Sequence, residues 1–146
     1  MHTVFVALAL VLSLAQAPSV TAAVSKFVPD VSWRPKSVLI AEFSCRGRKE
    51  QAILGVTAKE IVITIFLNGT AEMPEVLHYS AQSRDPNEVK LTVESLDYDP
   101  KDDDLGDLPG FHRSKICKGL NLSDGKVDSA HIYWNHDAKR FDDWAR

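Results

Sequence analysis

The stretch Val38–Leu67, VLIAEFSCRGRKEQAILGVTAKEIVITIFL, decides the fold. It contains three apolar runs, separated by a charged loop at Ser44–Lys49 and by a short polar turn. The third run, Glu60–Leu67, is rich in β-branched residues, which pack well on a pleated sheet and favour a strand over a helix. Its apolar residues fall on both faces of such a strand. We therefore expect an interior strand that is covered on both sides.

Further strands are expected on both sides of this unit. Asn68-Gly69 favours a tight hairpin turn that leads into a strand at Val76–Ser80. Glu88–Ser95 alternates between apolar and polar residues, as in a half-exposed antiparallel strand whose inner face carries Val89, Leu91 and Val93. On the N-terminal side, the prolines within residues 24–36 argue against a helix and favour an extended lead-in, with Trp33 packed on the sheet edge.

The last fifty residues combine a long polar loop with an aromatic hairpin. Residues 96–110 hold six aspartates together with two prolines and two glycines, a composition that fits a long surface loop. Two aromatic runs, Ser129–Trp134 and Arg140–Trp144, flank a polar turn and predict a C-terminal β-hairpin. We therefore expect a mainly β fold, a small antiparallel sheet or sandwich of about seven or eight strands with one long acidic loop.

The N-terminal residues have the features of a secretory signal peptide. Val4–Leu14 is apolar apart from Ser13, and small residues follow it as far as Ala23. This run is shorter than the ~20 residues that a membrane span requires. We expect cleavage after Ala22 or Ala23, which gives a signal peptide at residues 1–23 and a single exported β domain at residues 24–146, periplasmic or secreted. A retained N-terminal membrane anchor is the alternative.

The net charge narrows the classes of partner, and the cysteine content predicts a disulfide. The chain carries 17 Lys and Arg against 20 Asp and Glu, a net charge of −3. This balance argues against nucleic acid or anionic lipid as a partner, and we expect a monomer without membrane contact after cleavage. Cys45 and Cys117 are the only cysteines, and in an exported chain they are expected to form one disulfide. Two unpaired buried thiols are the alternative.

The charged loop in the deciding stretch follows a calcium-loop spacing. Positions 1, 3, 5, 6 and 9 of a nine-residue frame are Glu42, Ser44, Arg46, Gly47 and Glu50. Calcium loops of the Asp-x-Asp-x-Asp-Gly-x-x-Asp kind have oxygen ligands at positions 1, 3, 5 and 9, and glycine at position 6. On these residues, the segment 38–67 resembles a single degenerate FG-GAP (VCBS-type) repeat, a strand–calcium loop–strand unit found in exported bacterial proteins. The resemblance implies possible Ca²⁺ binding, although Arg46 puts a cation where the family has a carboxylate.

Two asparagines begin N-glycosylation sequons. These are Asn68-Gly69-Thr70 and Asn121-Leu122-Ser123. Such sequons are used only in a eukaryotic secretory pathway. Since the FG-GAP resemblance leans towards bacteria, we interpret Asn68 and Asn121 as turn residues.

The C-terminal half holds the candidate metal ligands and acid–base groups. The acidic loop offers carboxylates that suit a hard cation such as Ca²⁺, and the predicted ligands are Asp97, Asp99, Asp102, Asp104 and Asp107. The alternative interpretation of this loop is a solvated charged segment. His112, His131 and His136, with Asp137, form a second candidate set for a zinc site or an acid–base pair.

The terminal hairpin supplies a candidate ligand surface. An aromatic platform for a sugar or a protein could be built from Tyr133, Trp134, Phe141 and Trp144, unless these side chains pack onto the sheet. The sequence contains no serine-nucleophile elbow, phosphate-binding loop or dinucleotide fingerprint. We therefore expect a non-catalytic exported module that binds a protein or a carbohydrate. A small metal-dependent hydrolase that uses the His and Asp residues of the C-terminal half is the alternative.

Overall fold

The computed structural model describes residues 19–102 and 104–146. This part of the chain forms nine strands, one α-helix and one 3₁₀ turn: α1 Val20–Phe27, β1 Ser32–Trp33, the turn Pro35–Ser37, β2 Leu39–Ala41, β3 Glu50–Val56, β4 Glu60–Phe66, β5 Glu75–Ser80, β6 Lys90–Leu96, β7 Ser114–Ser123, β8 Ala130–Asn135 and β9 Arg140–Ala145. The strands make two antiparallel sheets. Sheet A has the order β1-β3-β4-β5 with β2 also on β3, and sheet B has the order β6-β7-β8-β9. The mainly β fold with a C-terminal hairpin is confirmed.

The main core lies between the two sheets. Leu54 and Ile63 contribute to it from sheet A, and Leu120 and Ile132 contribute from sheet B. In β4 the isoleucines Ile61, Ile63 and Ile65 all face this core, because alternate residues of a strand point to the same side. The deciding stretch therefore supplies the middle of sheet A, as its apolar pattern predicts.

The opposite face of sheet A is covered by α1, which was not expected from the sequence. Val24 is completely buried and packs with Ala23 of the same helix against Ile53 and Phe66. This helix explains why β4 is apolar on both faces. The expectation of an extended chain from residue 24 onwards is wrong for residues 24–27, because Pro29 lies beyond the end of the helix and does not interrupt it.

The expected signal peptide overlaps with α1. The side chain of Ser19 caps the helix by accepting a hydrogen bond from the N–H of Ala22 at 3.3 Å. Cleavage after Ala22 or Ala23 would therefore cut within the helix. The apolar segment Val4–Leu14 lies outside the described residues, and the signal peptide stays a prediction. Among the described residues, no helix has the length and apolar composition needed to cross a membrane.

Three local expectations differ from the structure. β4 and β5 are joined by residues 67–74, a longer connection than the tight turn expected at Asn68-Gly69. Val93 is 39% exposed, whereas Val89 and Leu91, the other two residues expected on the inner face, are buried. Asn121 lies within β7 and pairs with Thr92, so its interpretation as a turn residue is wrong.

The predicted disulfide between Cys45 and Cys117 is confirmed, and it joins the two sheets. Its Cα atoms are 5.3 Å apart, and the residues are separated by 72 positions in sequence. Beside it, the N–H of Lys118 donates to the carbonyl of Glu42 at 2.8 Å. The β2–β3 loop is thus fastened to β7 at one end of the sandwich.

Candidate functional site

The loop with the calcium-type spacing is built around the buried carboxylate of Glu50. The backbone N–H groups of Phe43 and Ser44 donate to Glu50 Oε2 at 2.9 and 2.8 Å, and the Ser44 hydroxyl donates to Oε1. These donors satisfy a side chain that water scarcely reaches. The carboxylate at position 9 of the calcium-type frame therefore accepts hydrogen bonds from the loop itself.

Arg46 places its guanidinium among the oxygen atoms of the same loop. Its Nε donates to Ser44 Oγ at 2.8 Å, and its Nη2 lies 3.2 Å from Glu50 Oε1. The guanidinium also donates to the carbonyl of Leu67 at 2.8 Å and to Asn68 Oδ1 at 3.2 Å. The loop thus carries its own cation, held by oxygen atoms from both of its ends.

Three of the predicted metal ligands in the acidic loop make contacts within the protein. Asp97 Oδ1 lies 2.7 Å from Arg113 Nε, and this hydrogen bond lowers the pKa of the carboxyl. Asp107 Oδ1 lies 3.1 Å from Lys101 Nζ, and Asp99 accepts a hydrogen bond from the N–H of Lys101 at 3.0 Å. These contacts compensate part of the negative charge of the loop.

The remaining predicted ligands, Asp102 and Asp104, are exposed. Asp103 between them lies outside the described residues. Within residues 19–102 and 104–146, no three His, Cys, Asp or Glu side chains come together where they could hold a metal ion. Calcium binding by this loop therefore stays a prediction.

The acidic loop packs on the outer face of sheet B through aromatic side chains. The rings of Tyr98 and Phe111 are 5.0 Å apart, and Phe111 meets the ring of Tyr133 edge-on at 5.6 Å. The Tyr133 hydroxyl donates to the carbonyl of Pro109 at 2.9 Å. A cavity of about 260 Å³ opens beside Tyr98 and Phe111, and charged residues such as Lys101 and Asp107 also line it. The acidic loop thus packs against the terminal hairpin, at Tyr133 of β8.

The structure separates the candidate histidines into two places. His112 and His136 stack face to face at the end of the β8–β9 hairpin, with ring centroids 3.9 Å apart. Burial and the neighbouring His112 lower the pKa of His136. Asp137 is exposed in the hairpin turn, where its N–H donates to Asn135 Oδ1. His131 lies instead on the outer face of sheet B.

The four aromatic residues of the expected platform lie on two opposite faces of sheet B. Trp134 and Phe141 face the core between the sheets and meet edge-on at 5.0 Å. Tyr133 and Trp144 face outwards and contact the acidic loop. A single platform of all four side chains is therefore not formed. Trp144 is the outward-facing member that is not fully buried.

Trp144 belongs to a row of side chains that crosses the outer face of sheet B. The backbone register aligns Thr92 with Asn121, Asn121 with His131, and His131 with Trp144. The imidazole of His131 stacks on the Trp144 ring, with centroids 3.9 Å apart and planes inclined by 12°. This row places polar groups beside an aromatic surface.

Glu94 links the polar members of this row. Its Oε2 lies 2.9 Å from His131 Nδ1 and accepts a hydrogen bond from Asn121 Nδ2 at 3.4 Å. The side chains of Glu94 and His131 are each 20% exposed, so solvent reaches the pair. We call Glu94, Asn121, His131 and Trp144 the outer-face site. Sequence reasoning missed Glu94 and Asn121, because only the strand register brings them beside His131.

A polar groove continues the outer-face site along β6 and β7. It has a volume of about 280 Å³ and begins at Asn121 and Thr92. Ser123 and Asp124 line its far end. Asp124 accepts backbone hydrogen bonds from Asp85 and Lys126, and they lower its pKa to about 2. Hydroxyl, amide and carboxylate groups thus follow one another over several residues of sheet surface.

Comparisons of the chain with known proteins found no relative. No protein-family model, no curated protein and no solved structure matches the chain.

Proposed function

We propose that this protein is a non-catalytic exported module that binds a carbohydrate at the outer-face site. The observation that carries the proposal is the row formed by Asn121, His131 and Trp144. Glu94 forms hydrogen bonds with the two polar members of this row, Asn121 and His131. It combines hydrogen-bonding groups with an aromatic surface, and it opens into a polar groove.

The chemistry of a sugar suits this combination. Each sugar hydroxyl both donates and accepts hydrogen bonds, and a carboxylate, a side-chain amide and an imidazole can meet both requirements. The ring of a sugar also presents C–H groups, which pack against aromatic side chains. Trp144 is partly exposed and offers the part of its ring that His131 and Tyr98 do not cover. The polar groove gives a chain of several sugars room to extend past Asn121.

The disulfide supports the exported part of the proposal. Disulfides persist in oxidising compartments and are rare in the reducing cytosol. The Cys45–Cys117 bond joins the two sheets and is part of the folded protein. Export would place the outer-face site among extracellular or cell-envelope carbohydrates.

A glycan-array screen followed by titration of the retained oligosaccharides tests the proposal. We expect Asn121→Ala and Glu94→Gln each to weaken binding at least tenfold while leaving the unfolding temperature within a few degrees of wild type. Asn87→Ala, an exposed asparagine in the turn before β6, is the matched control and should bind as wild type does.

Three outcomes would overturn the proposal. The first is an array on which no glycan is retained, and the second is retention that survives both outer-face substitutions. The third is the release of new reducing ends from a bound oligosaccharide, since this would show hydrolysis and favour the metal-dependent hydrolase.

A further inference from the structure

The edge of sheet A is interrupted between β1 and β2. Both strands pair with β3, and the 3₁₀ turn Pro35–Ser37 separates them. At this interruption, Leu54 of β3 forms hydrogen bonds with the turn instead of a strand. The carbonyl of Leu54 accepts from the N–H of Arg34 at 2.9 Å, and its N–H donates to Ser37 Oγ at 2.9 Å. The sandwich therefore opens at this edge, opposite the start of β6.

A cavity of about 320 Å³ occupies this opening. Its floor is formed by the apolar side chains Leu54, Val89 and Leu91, all three of which belong to the main core. Leu91 and Val89 come from the side of sheet B, and Leu54 comes from sheet A. An apolar ligand placed here would thus touch both sheets.

Three cationic side chains line the mouth of the cavity. They are Arg34, Lys36 and Lys90. Arg34 donates to the backbone carbonyls of Val89, at 2.9 Å, and Pro86, so its hydrogen bonds leave its charge uncompensated. Among residues 19–102 and 104–146, none of the three cations forms an ion pair with a carboxylate.

We propose that this cavity binds a medium-chain alkyl carboxylate, with the carboxylate between the cations and the alkyl chain over the apolar floor. Charge complementarity selects the head group, because carboxylates pair well with guanidinium and ammonium groups. The apolar floor selects the tail, because burying methylene groups is favourable. The volume lies near the lower end of the range for small-molecule sites, which fits a short or medium chain.

Calorimetric titration with decanoate tests the proposal, with 1-decanol and decyltrimethylammonium as ligands of matched chain. We expect decanoate to bind at least tenfold more tightly than either, and its affinity to fall as salt is added. Amide shifts in nuclear magnetic resonance spectra should then be largest at Leu54 and Leu91.

Reversing the charge of a lysine at the cavity mouth tests where the carboxylate of decanoate binds. Lys36→Glu should weaken decanoate binding at least fivefold, whereas Lys59→Glu, an exposed lysine in the β3–β4 turn, should leave it unchanged. Lys36 is the preferred position because Lys90 also lines the polar groove of sheet B. Equal affinities for decanoate and decanol, the absence of saturable decanoate binding, or an unchanged affinity in Lys36→Glu would overturn the proposal.

Discussion

Arg46 and Glu50 form an ion pair in which one partner is buried and the other reaches solvent. Nη2 of Arg46 lies 3.2 Å from Oε1 of Glu50, and the two side chains are 37% and 1% exposed. The buried carboxylate also accepts two backbone N–H groups from Phe43 and Ser44. Removing one acceptor oxygen would leave buried donors without partners, which costs more than an average hydrogen bond contributes.

We therefore expect Glu50→Gln to destabilise the protein by about 2–4 kcal/mol, because the amide NH₂ would face groups that are themselves donors. Urea unfolding at pH 7 measures this change. Glu42→Gln is the matched control, since Glu42 lies in the same loop and is partly exposed. If the two variants lost the same free energy of unfolding, the buried hydrogen bonds of Glu50 would contribute no more to stability than the contacts of Glu42.

The position of the Arg46 guanidinium also leads to a prediction about metal ions and the unfolding temperature. Because the guanidinium already lies among Ser44 Oγ, Glu50 Oε1 and the Leu67 carbonyl, we expect neither EDTA nor millimolar Ca²⁺ to change the unfolding temperature through this loop. Differential scanning calorimetry measures the effect. A calcium-dependent rise that is lost in Glu50→Gln would contradict this expectation. A rise that is lost only in Asp99→Asn would assign calcium to the acidic loop.

The disulfide should contribute strongly to stability, because it constrains a long segment of the unfolded chain. We expect the double variant Cys45→Ser, Cys117→Ser to lose about 2–4 kcal/mol of unfolding free energy. Wild-type protein unfolded in the presence of dithiothreitol should behave like the double variant. Mass spectrometry after thiol alkylation without reduction supplies the control, and two alkylated cysteines in the wild type would contradict the bond.

Helix α1 should belong to the cooperative fold. A chain that begins at Val24 lacks the cap at Ser19 and the first half of the helix, and the four helical residues that remain are too few to form a stable helix. Val24, Ile53 and Phe66 would then be exposed to water, so we expect a loss of about 3 kcal/mol relative to a chain that begins at Ser19. Thermal unfolding of the two chains decides this, and equal unfolding temperatures would show that α1 contributes nothing.

The contrast between β4 and α1 shows what local sequence can predict. β4 was predictable because its run of isoleucines specifies a strand through side-chain shape alone. α1 consists of small and apolar residues that equally suit the end of a signal peptide. Its helical state depends on packing against Ile53 and Phe66, which lie far along the chain. That dependence on tertiary contacts left no local signal.

The outer-face site was predictable only in part, for a similar reason. Trp144 and His131 could be chosen by residue type, because aromatic and imidazole groups are frequent in binding sites. Glu94 is 37 positions from His131 in sequence and 27 from Asn121. An alternating strand shows that Glu94 faces outwards, but it does not show which strand will lie beside it. The pairing of β6 with β7, and of β7 with β8, decides the composition of the site.

Glu75 connects the two sheets and should make stability depend on pH. Its Oε1 accepts the N–H of Phe141 at 2.7 Å, and burial raises the pKa of its carboxyl above the ordinary 4.5 despite this bond and the nearby Arg140. The folded protein therefore binds this proton more tightly than the unfolded chain does. The favourable contribution is complete below pH 4.5 and is lost as the pH rises through the folded-state pKa.

Glu75→Gln cannot ionise and keeps an oxygen that accepts from Phe141. We expect this variant to be more stable than wild type at pH 7, with a smaller loss of stability as the pH rises from 4.5 to 7. Urea unfolding at several pH values measures both effects. Glu72→Gln, an exposed glutamate in the preceding loop, is the control. A Glu75→Gln curve parallel to that of the wild type would contradict the raised pKa, because the variant has removed the titrating group.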